Sequence, residues 1–441
     1  MRTLHFVALY TFMTTGCMMD IDTGARRHDA SGDAAGDRGG TPPATSSSAP
    51  TGETPRPVDR WKELMVIDAS VRLSPMARGT GAQLSFATVV TELAGSPAAA
   101  ETWVRGWLET MSSTTHVTTP DGTELQAAPR PGVESQLLCP WLKLRSQNAC
   151  DAGCGYCRER VLDLAQAPFA LLAVVNRPDL GDPCVEGSAE GRLVFTALRP
   201  GTSTTLPFTV IFEYLQPGTG RDVAARWHAL GSLPFGRDYG DALGALTDAF
   251  VRRSGPKPPP LLRLRTNEGA FGNDGSWELR ELAVGPSGFV SAPVAATPAQ
   301  TWDGSPALAD LLRSASSPVV PDFMSTLASP IPSSTFRWRA DVPETTRRTF
   351  SAGTCNGCHG GERPVDALRF QHVAPAGSYY GSLTEPPRVS RYLDDPSRNG
   401  DDELGRRAGK LQEAWKATCS PAPGGPGTYP APRMDHARAT H

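Results

Sequence analysis

The stretch LPFTVIFEYL, residues 206–215, decides the fold class of this chain of 441 residues. It is rich in β-branched and aromatic side chains, which is typical of a β-strand. Similar runs occur on both sides of it, separated by residues that favour turns. We therefore predict strands over 65–73, 169–176, 191–198, 206–215, 261–266, 276–284 and 288–294.

Helical periodicity is clearest in residues 96–113, where Trp103, Trp107 and Met111 recur at i, i+4 and i+8. Further helices are predicted over 222–231, 239–253, 306–315, 343–354 and 401–419. This order of elements favours an α+β fold, with a mostly antiparallel sheet and helices on one side of it. A small helical cytochrome c-like unit is expected to follow at the C-terminal end.

Composition and motifs narrow the classes of function. The formal net charge is -3 and no long run has a single sign, so a nucleic-acid partner is not expected. The catalytic patterns H-E-x-x-H, G-x-S-x-G and G-x-x-x-x-G-K-[ST] do not occur in the sequence. The sequence therefore gives no reason to expect an enzyme and indicates no catalytic residue.

The N-terminus has the pattern of an export signal. Residues 4–13, LHFVALYTFM, are apolar but too few to span a bilayer. The following TTGC, ending at Cys17, resembles the lipobox of bacterial lipoproteins, although Thr14 stands where Leu is usual. We predict a membrane partner through a lipid anchor on Cys17, and Met18 after it favours the outer membrane. The alternative is an ordinary signal peptide with an incidental cysteine.

Shifts in composition predict six segments along the chain. A stretch such as TPPATSSSAPTGETPRP has almost no large apolar side chain to pack, so it is expected to be disordered. The predicted segments are a signal peptide (1–16), a lipid-anchored disordered tether (17–58), an α+β domain of unknown role (59–316), a linker (317–336), a C-x-x-C-H helical unit (337–419) and a disordered tail (420–441).

The chemical centre of the sequence is the C-x-x-C-H motif formed by Cys355, Cys358 and His359. Covalent haem c needs two thiols at this spacing for the vinyl groups and a histidine directly after them for the iron. His372 is the candidate for the sixth iron ligand, because the downstream Met434 lies in the predicted tail. If neither binds, the iron has an open site. The redox partner is not indicated.

Two other readings of this motif stay open. Cys355 and Cys358 can form disulfides, and together with His359 and His372 they offer four ligands suited to structural zinc. An even number of cysteines in an exported protein suggests disulfides, and we prefer these to zinc or iron–sulfur ligation for the remaining ones. Those six are Cys139, Cys150, Cys154, Cys157, Cys184 and Cys419.

Several phrases carry a family resemblance: AVVNRPDL (173–180), EGRLVF (190–195), FTVIFEY (208–214), LRTNE (264–268), WELRE (277–281) and TCNGCHGG (354–361). They resemble an uncharacterised family of predicted lipoproteins found in myxobacteria and related genomes. The resemblance covers most of residues 165–420. It implies export and a two-part layout, and it implies no activity.

The same phrases place charged and polar groups on or beside strands. These groups either form a salt-bridge network that fixes strand register or converge in a ligand cleft. His228 lies on a helix face and is interpreted as a packed histidine. The candidate cleft residues are Asn176, Arg177, Asp179, Glu190, Arg192, Glu213, Arg265, Asn267 and Glu268.

Two functions follow from these features. The first is an envelope electron-transfer lipoprotein with one c-type haem. The second is a non-haem surface lipoprotein for binding or structure, stabilised by disulfides or zinc. A covalent haem adds mass and colour, so the two can be distinguished directly.

Overall fold

The structure is a computed structural model. It describes residues 56–145, 150–151, 161–272, 276–314, 319–331, 333, 335–362, 371–376, 383–395, 397 and 402–419. The predictions for the signal peptide, Cys17, the tether up to residue 55 and the tail lie outside the described residues, as do Cys154, Cys157 and Met434.

The main sheet contains eight of the described strands, all paired antiparallel. Its order is β1-β4-β5-β6-β7-β8-β10, with β9 also paired to β8. The strands are β1 (Met65–Val66), β2 (Thr115–Thr118), β3 (Glu124–Ala127), β4 (Phe169–Arg177), β5 (Glu190–Leu198), β6 (Thr205–Leu215), β7 (Leu261–Glu268), β8 (Trp277–Gly285), β9 (Gly288–Ala292), β10 (Ala328–Ile331), β11 (Val373–Ala374) and β12 (Arg388–Val389).

Helices flank the sheet, and none of the described ones combines the length and the hydropathy needed to cross a bilayer. They are α1 (Arg60–Glu63), α2 (Ala69–Arg72), α3 (Phe86–Ala94), α4 (Pro97–Ser112), α5 (Cys139–Arg145), α6 (Gly220–Leu230), α7 (Arg237–Val251), α8 (Pro306–Ser314), α9 (Glu344–Gly353), α10 (Cys355–Gly357) and α11 (Glu403–Lys416). Local sequence explains their starts. The Ser96 side chain, for example, accepts a hydrogen bond from the backbone N–H of Ala99, and Pro97 occupies the first turn of α4.

The predicted α+β class with a mostly antiparallel sheet is confirmed. One predicted strand, 65–73, is mostly wrong, because only Met65–Val66 is extended and α2 follows. Asp68 explains the change, since its side chain accepts a hydrogen bond from the backbone N–H of Ser70 and caps α2. The predicted linker 317–336 contains a further strand, β10, which pairs with β8.

One face of the sheet is apolar and forms the main core. Side chains alternate between faces along a strand, so Phe208, Val210 and Phe212 of β6 share a face and are all buried. Aromatic rings from the flanking helices pack on them. Phe86 of α3 lies 5.9 Å from Phe212 and Trp107 of α4 lies 6.3 Å from Phe208, measured between ring centroids. Burial of these large side chains is the main source of stability on this face.

The other face of the sheet is polar, and it is also covered. Thr209 and Glu213 of β6 are buried on it, and they line a cavity with Cys355 and His359 from the C-x-x-C-H segment. The backbone N–H of Cys355 donates to Thr297 Oγ1 at 2.9 Å. The prediction placed helices on one side only. In the structure, other parts of the chain cover both faces of the sheet. Because both faces are covered, β6 can be apolar along most of its length.

Both ends of the described body meet at α6. Arg56 donates from Nη2 to the backbone carbonyl of His228 at 2.7 Å and to the buried carboxylate of Glu63 at 2.5 Å. The ring of Trp415, near the end of α11, lies 4.7 Å from the ring of His228. His228 Nδ1 is 2.8 Å from Glu63 Oε2, and the residue is buried, as predicted.

Candidate functional site

The C-x-x-C-H motif lies in a tight turn whose shape its own residues determine. Helix α9 ends at Gly353, and the Thr354 hydroxyl accepts a hydrogen bond from the backbone N–H of Gly357 at 3.1 Å, which starts α10. A Cβ atom at Gly357 would lie 2.1 Å from the carbonyl oxygen of Ser351. Only glycine therefore fits between Asn356 and Cys358.

A buried tryptophan supports this turn from outside. Trp338 donates from Nε1 to Thr354 Oγ1 and to Asn356 Oδ1, each at 2.9 Å. Its indole is fully buried. Sequence reasoning did not identify Trp338, because the contact is set by tertiary packing and has no local pattern.

The described cysteines fall into two chemical groups. Cys184 and Cys419 form a disulfide, and Cys139 and Cys150 are also disulfide-bonded. Cys355 and Cys358 are both buried thiols that form no disulfide. Burial raises the pKa of the Cys355 thiol, which therefore stays protonated at neutral pH. This argues against a role as an activated thiol nucleophile.

His359 of the motif and His372, further along the chain, meet beside these thiols. The rings of His359 and His372 lie 4.4 Å apart between centroids. His372 Nε2 is 3.5 Å from Cys358 Sγ, and His372 Nδ1 is 2.9 Å from the hydroxyl of Ser390. The ring of Tyr392 lies 4.9 Å from the ring of His372. The fold thus brings a thiol and two imidazoles together, across 14 residues of sequence.

A cavity of about 100 Å³ lies between this cluster and the polar face of the sheet. Cys355, His359 and His372 line one side, while Arg192, Glu213 and other sheet residues line the opposite side. The sequence motif and the candidate cleft residues, which are far apart in the chain, therefore border one space.

A lattice of ion pairs forms the sheet side of this cavity. Glu213 lies 3.3 Å from Arg192, 3.2 Å from Arg263 and 3.5 Å from Arg265. Glu281 of β8 lies 3.2 Å from both Arg263 and Arg265. Neighbouring strands place these residues side by side, since Arg192 is opposite Glu213 and Arg265 is opposite Glu281 in the sheet register.

Charge compensation holds this lattice ionised despite its burial. Burial opposes ionisation of Glu213, but the three arginines outweigh it and lower the pKa of that carboxyl. Burial alone would also lower the pKa of Arg265, but Glu213 and Glu281 outweigh it and raise that pKa. Removing one member would leave its partners buried and uncompensated.

The nine candidate cleft residues divide into three sets. Arg192, Glu213, Arg265 and Asn267 line the cavity. Arg177, Asp179 and Glu190 belong to ion pairs next to it: Arg177 donates to Asp179 at 2.9 Å, and Glu190 pairs with Arg192. The last two, Asn176 and Glu268, contribute elsewhere. Asn176 donates to the backbone carbonyl of Glu63 at 3.1 Å, and Glu268 pairs with Arg130 at 2.5 Å.

The same region contains polar residues that sequence reasoning missed. Arg263 and Glu281 had a usable signal, because alternation along β7 and pairing with β8 place them beside Arg265. Arg407 lines the cavity from α11, and Ser390 and Tyr392 contact His372, but only tertiary packing brings them there.

The described side chains do not place both imidazoles as ligands of one iron. An iron ligated by both rings would hold their centroids about 6 Å apart, given metal–nitrogen bonds of about 2.0 Å. The rings of His359 and His372 are in contact at 4.4 Å instead.

A single ion agrees better with two of the donors. Zinc bonds of about 2.3 Å to sulfur and about 2.0 Å to nitrogen, at the tetrahedral angle, separate the donors by about 3.5 Å. Cys358 Sγ and His372 Nε2 are 3.5 Å apart. Within the described part of the chain, however, no group of three or more Cys, His, Asp or Glu residues already surrounds a metal position.

Comparison with known proteins adds no family. No family model matches the chain, and neither a curated protein nor a solved structure is significantly similar to it. The function is therefore inferred from the site itself.

Proposed function

We propose that this protein is an exported lipoprotein of the cell envelope, anchored through Cys17 at the outer membrane, and that it acts as a non-haem binding module. In this proposal Cys358, His372 and His359 hold one zinc ion. That ion links the C-x-x-C-H segment to His372, beside β11, within the part of the chain that covers the polar face of the sheet. The export-signal pattern, the lipobox-like TTGC and the disulfide-bonded cysteines of the body support the address.

The observation that carries the zinc proposal is the environment of His372. Its Nε2 atom lies 3.5 Å from Cys358 Sγ, which is the separation expected of two ligands of one zinc ion. Its Nδ1 atom lies 2.9 Å from the Ser390 hydroxyl. Histidines that bind metals usually donate their second ring N–H to an oxygen in this way, which fixes the tautomer. The ring of His359 is already in contact with that of His372, at 4.4 Å between centroids, and is the candidate third ligand.

Metal analysis tests the proposal. The full chain, purified from an exporting host, is expected to contain about one zinc per protein and to lose it in His372→Ala and in Cys358→Ser. His116→Ala is the matched control, because His116 is exposed and far from the motif in sequence. Zinc that survives both site substitutions, or a wild-type protein without zinc, would overturn the proposal.

A c-type haem is the second candidate, with an electron-transfer role. It is favoured by the C-x-x-C-H spacing and by the position of Cys355 and His359 on one cavity wall. The test is expression with a cytochrome c maturation system, followed by intact mass and a pyridine haemochrome spectrum. Covalent haem that disappears in Cys355→Ser with Cys358→Ser would establish this candidate and reject zinc.

The address has a separate test. We expect the wild type to partition into detergent and the Cys17→Ala variant to stay in the aqueous phase, because the lipid is attached at that thiol. A wild type whose mature N-terminus is not Cys17 would contradict the lipoprotein assignment without affecting the metal proposal.

A further inference from the structure

Two arginines in the cavity have spare hydrogen-bonding capacity. Arg192 and Arg265 both line it, and the Nη2 atom of each is buried without a hydrogen-bond partner among the described residues. Their other nitrogens are used, since Nε of Arg192 pairs with Glu190 and Nε of Arg265 lies 3.2 Å from Glu281. A buried charged donor without a partner is destabilising, so an occupant with acceptor oxygens would be stabilised here.

The charge of the cavity wall favours an anion as that occupant. Its charged residues are Arg192, Arg265, Arg407 and one acid, Glu213. Glu190 and Glu281 compensate the outer sides of Arg192 and Arg265, which keeps the lattice folded, but they do not line the cavity.

Size and the remaining walls define the class of anion. The cavity volume of about 100 Å³ is below the range of about 300–1,000 Å³ that is usual for pockets that bind larger ligands, so the occupant is expected to be small. Val194, Ile211 and Leu279 are among the aliphatic residues of the wall. A ligand that fits both parts has two acceptor oxygens at one end and a short apolar group at the other.

We propose that this cavity binds a short-chain monocarboxylate, held by the Nη2 atoms of Arg192 and Arg265 with its alkyl group against Val194 and Ile211. Two arginine donors match the two oxygens of a planar carboxylate, which is a geometry that guanidinium groups recognise well. This inference rests on the binding role proposed above and names its ligand, but it does not require the zinc ion.

Titration of the full chain with ¹³C-labelled acetate, followed by NMR, is the test. Acetate and propionate are expected to bind one per protein, and phosphate is not expected to compete. Arg192→Gln and Arg265→Gln are each expected to weaken acetate binding about tenfold, as loss of one charged hydrogen bond predicts. Arg313→Gln is the matched control, because Arg313 is half exposed and distant in sequence.

A second variant keeps the test decisive if the arginine variants fail to fold. Ile211→Phe fills the cavity without removing a charge, and it is expected to abolish acetate binding in a folded protein. Saturable acetate binding that survives Ile211→Phe would place the ligand elsewhere, and absence of binding to the wild type would show that water alone occupies the cavity. Acetate binding by Cys358→Ser separates this inference from the zinc proposal, since that variant lacks the metal site and retains both arginines.

Discussion

The two faces of the central sheet bury side chains in different ways. On one face Phe208 and Phe212 pack against Phe86 and Trp107, and the contacts are non-directional. On the other face Glu213 is shared by three arginines at fixed distances, under a segment with little regular structure. Apolar packing tolerates a change of shape, whereas a buried ion lattice depends on every charge in it. The polar face is therefore expected to be the less tolerant of substitution.

The largest difference between the two faces is expected when Glu213, the central charge of the ion lattice, is removed. Glu213→Gln leaves Arg192, Arg263 and Arg265 without their shared counter-ion, and it is expected to lower the free energy of unfolding by about 3–5 kcal/mol. Urea denaturation measures this change. Glu413→Gln is the matched control and should change stability by less than about 1 kcal/mol, because that exposed carboxylate pairs, among the described residues, only with Lys410. Equal effects of the two substitutions would show that the lattice is not electrostatically coupled.

The next largest loss of stability is expected when the disulfide that holds the covering segment on the polar face is removed. The Cys184–Cys419 disulfide closes 235 residues of chain and fixes the end of α11, whose Leu404 backbone N–H donates to the carbonyl of Leu393 in the covering segment. Replacing both cysteines by alanine is expected to cost about 2–4 kcal/mol.

Hydrogen exchange locates this loss. Exchange should rise in residues 383–395 more than in α3 and α4, because those helices are buried in the apolar core. A uniform rise over both faces would contradict the idea that the cover of the polar face opens separately.

Acid should affect the two faces unequally, with a smaller effect. The folded-state pKa values of Glu213, Asp179 and Glu403 are lowered, because nearby arginines outweigh the burial of these carboxyls. A lowered pKa stabilises the fold above the unfolded value, near 4.5 for glutamate, and that contribution is lost as pH falls through the folded value. Stability should be constant above about pH 5 and decline below it. The Glu213→Gln variant should show a flatter decline, and an identical slope would remove Glu213 from the explanation.

The smallest effect is expected on the apolar face. Phe212→Leu keeps an apolar side chain of similar reach, and its neighbours Phe86 and Phe289 can shift towards it. The expected loss is about 1–1.5 kcal/mol, measured by the same denaturation experiment. A loss as large as that of Glu213→Gln would show that both faces are equally intolerant.

Sequence predicted the apolar face better than the polar one. Long strands such as β6 and amphipathic helices such as α4 carry a periodic signal that sets both their type and their buried side. The start of the body was misread, because the strand-like MVIDASVRL contains Asp68, whose capping bond begins a helix instead.

The candidate site was predictable only in pieces. The motif identified Cys355 and His359, and the strand phrases identified Arg192, Glu213 and Arg265. Nothing local in the sequence shows that these sets share a cavity, because their residues are 90 to 167 positions apart and their contact depends on the path of an irregular segment. Trp338 and Ser390, which position the motif residues and His372, could not be predicted for the same reason.

The meeting of Arg56 and Trp415 at His228 has a practical consequence for engineering. Because residues near both ends of the folded body contact one histidine of α6, a flexible peptide can connect these ends, and new ends can be opened at an exposed turn such as the one containing Gly122. A circularly permuted chain of this kind would carry fluorescent or affinity fusions at that turn.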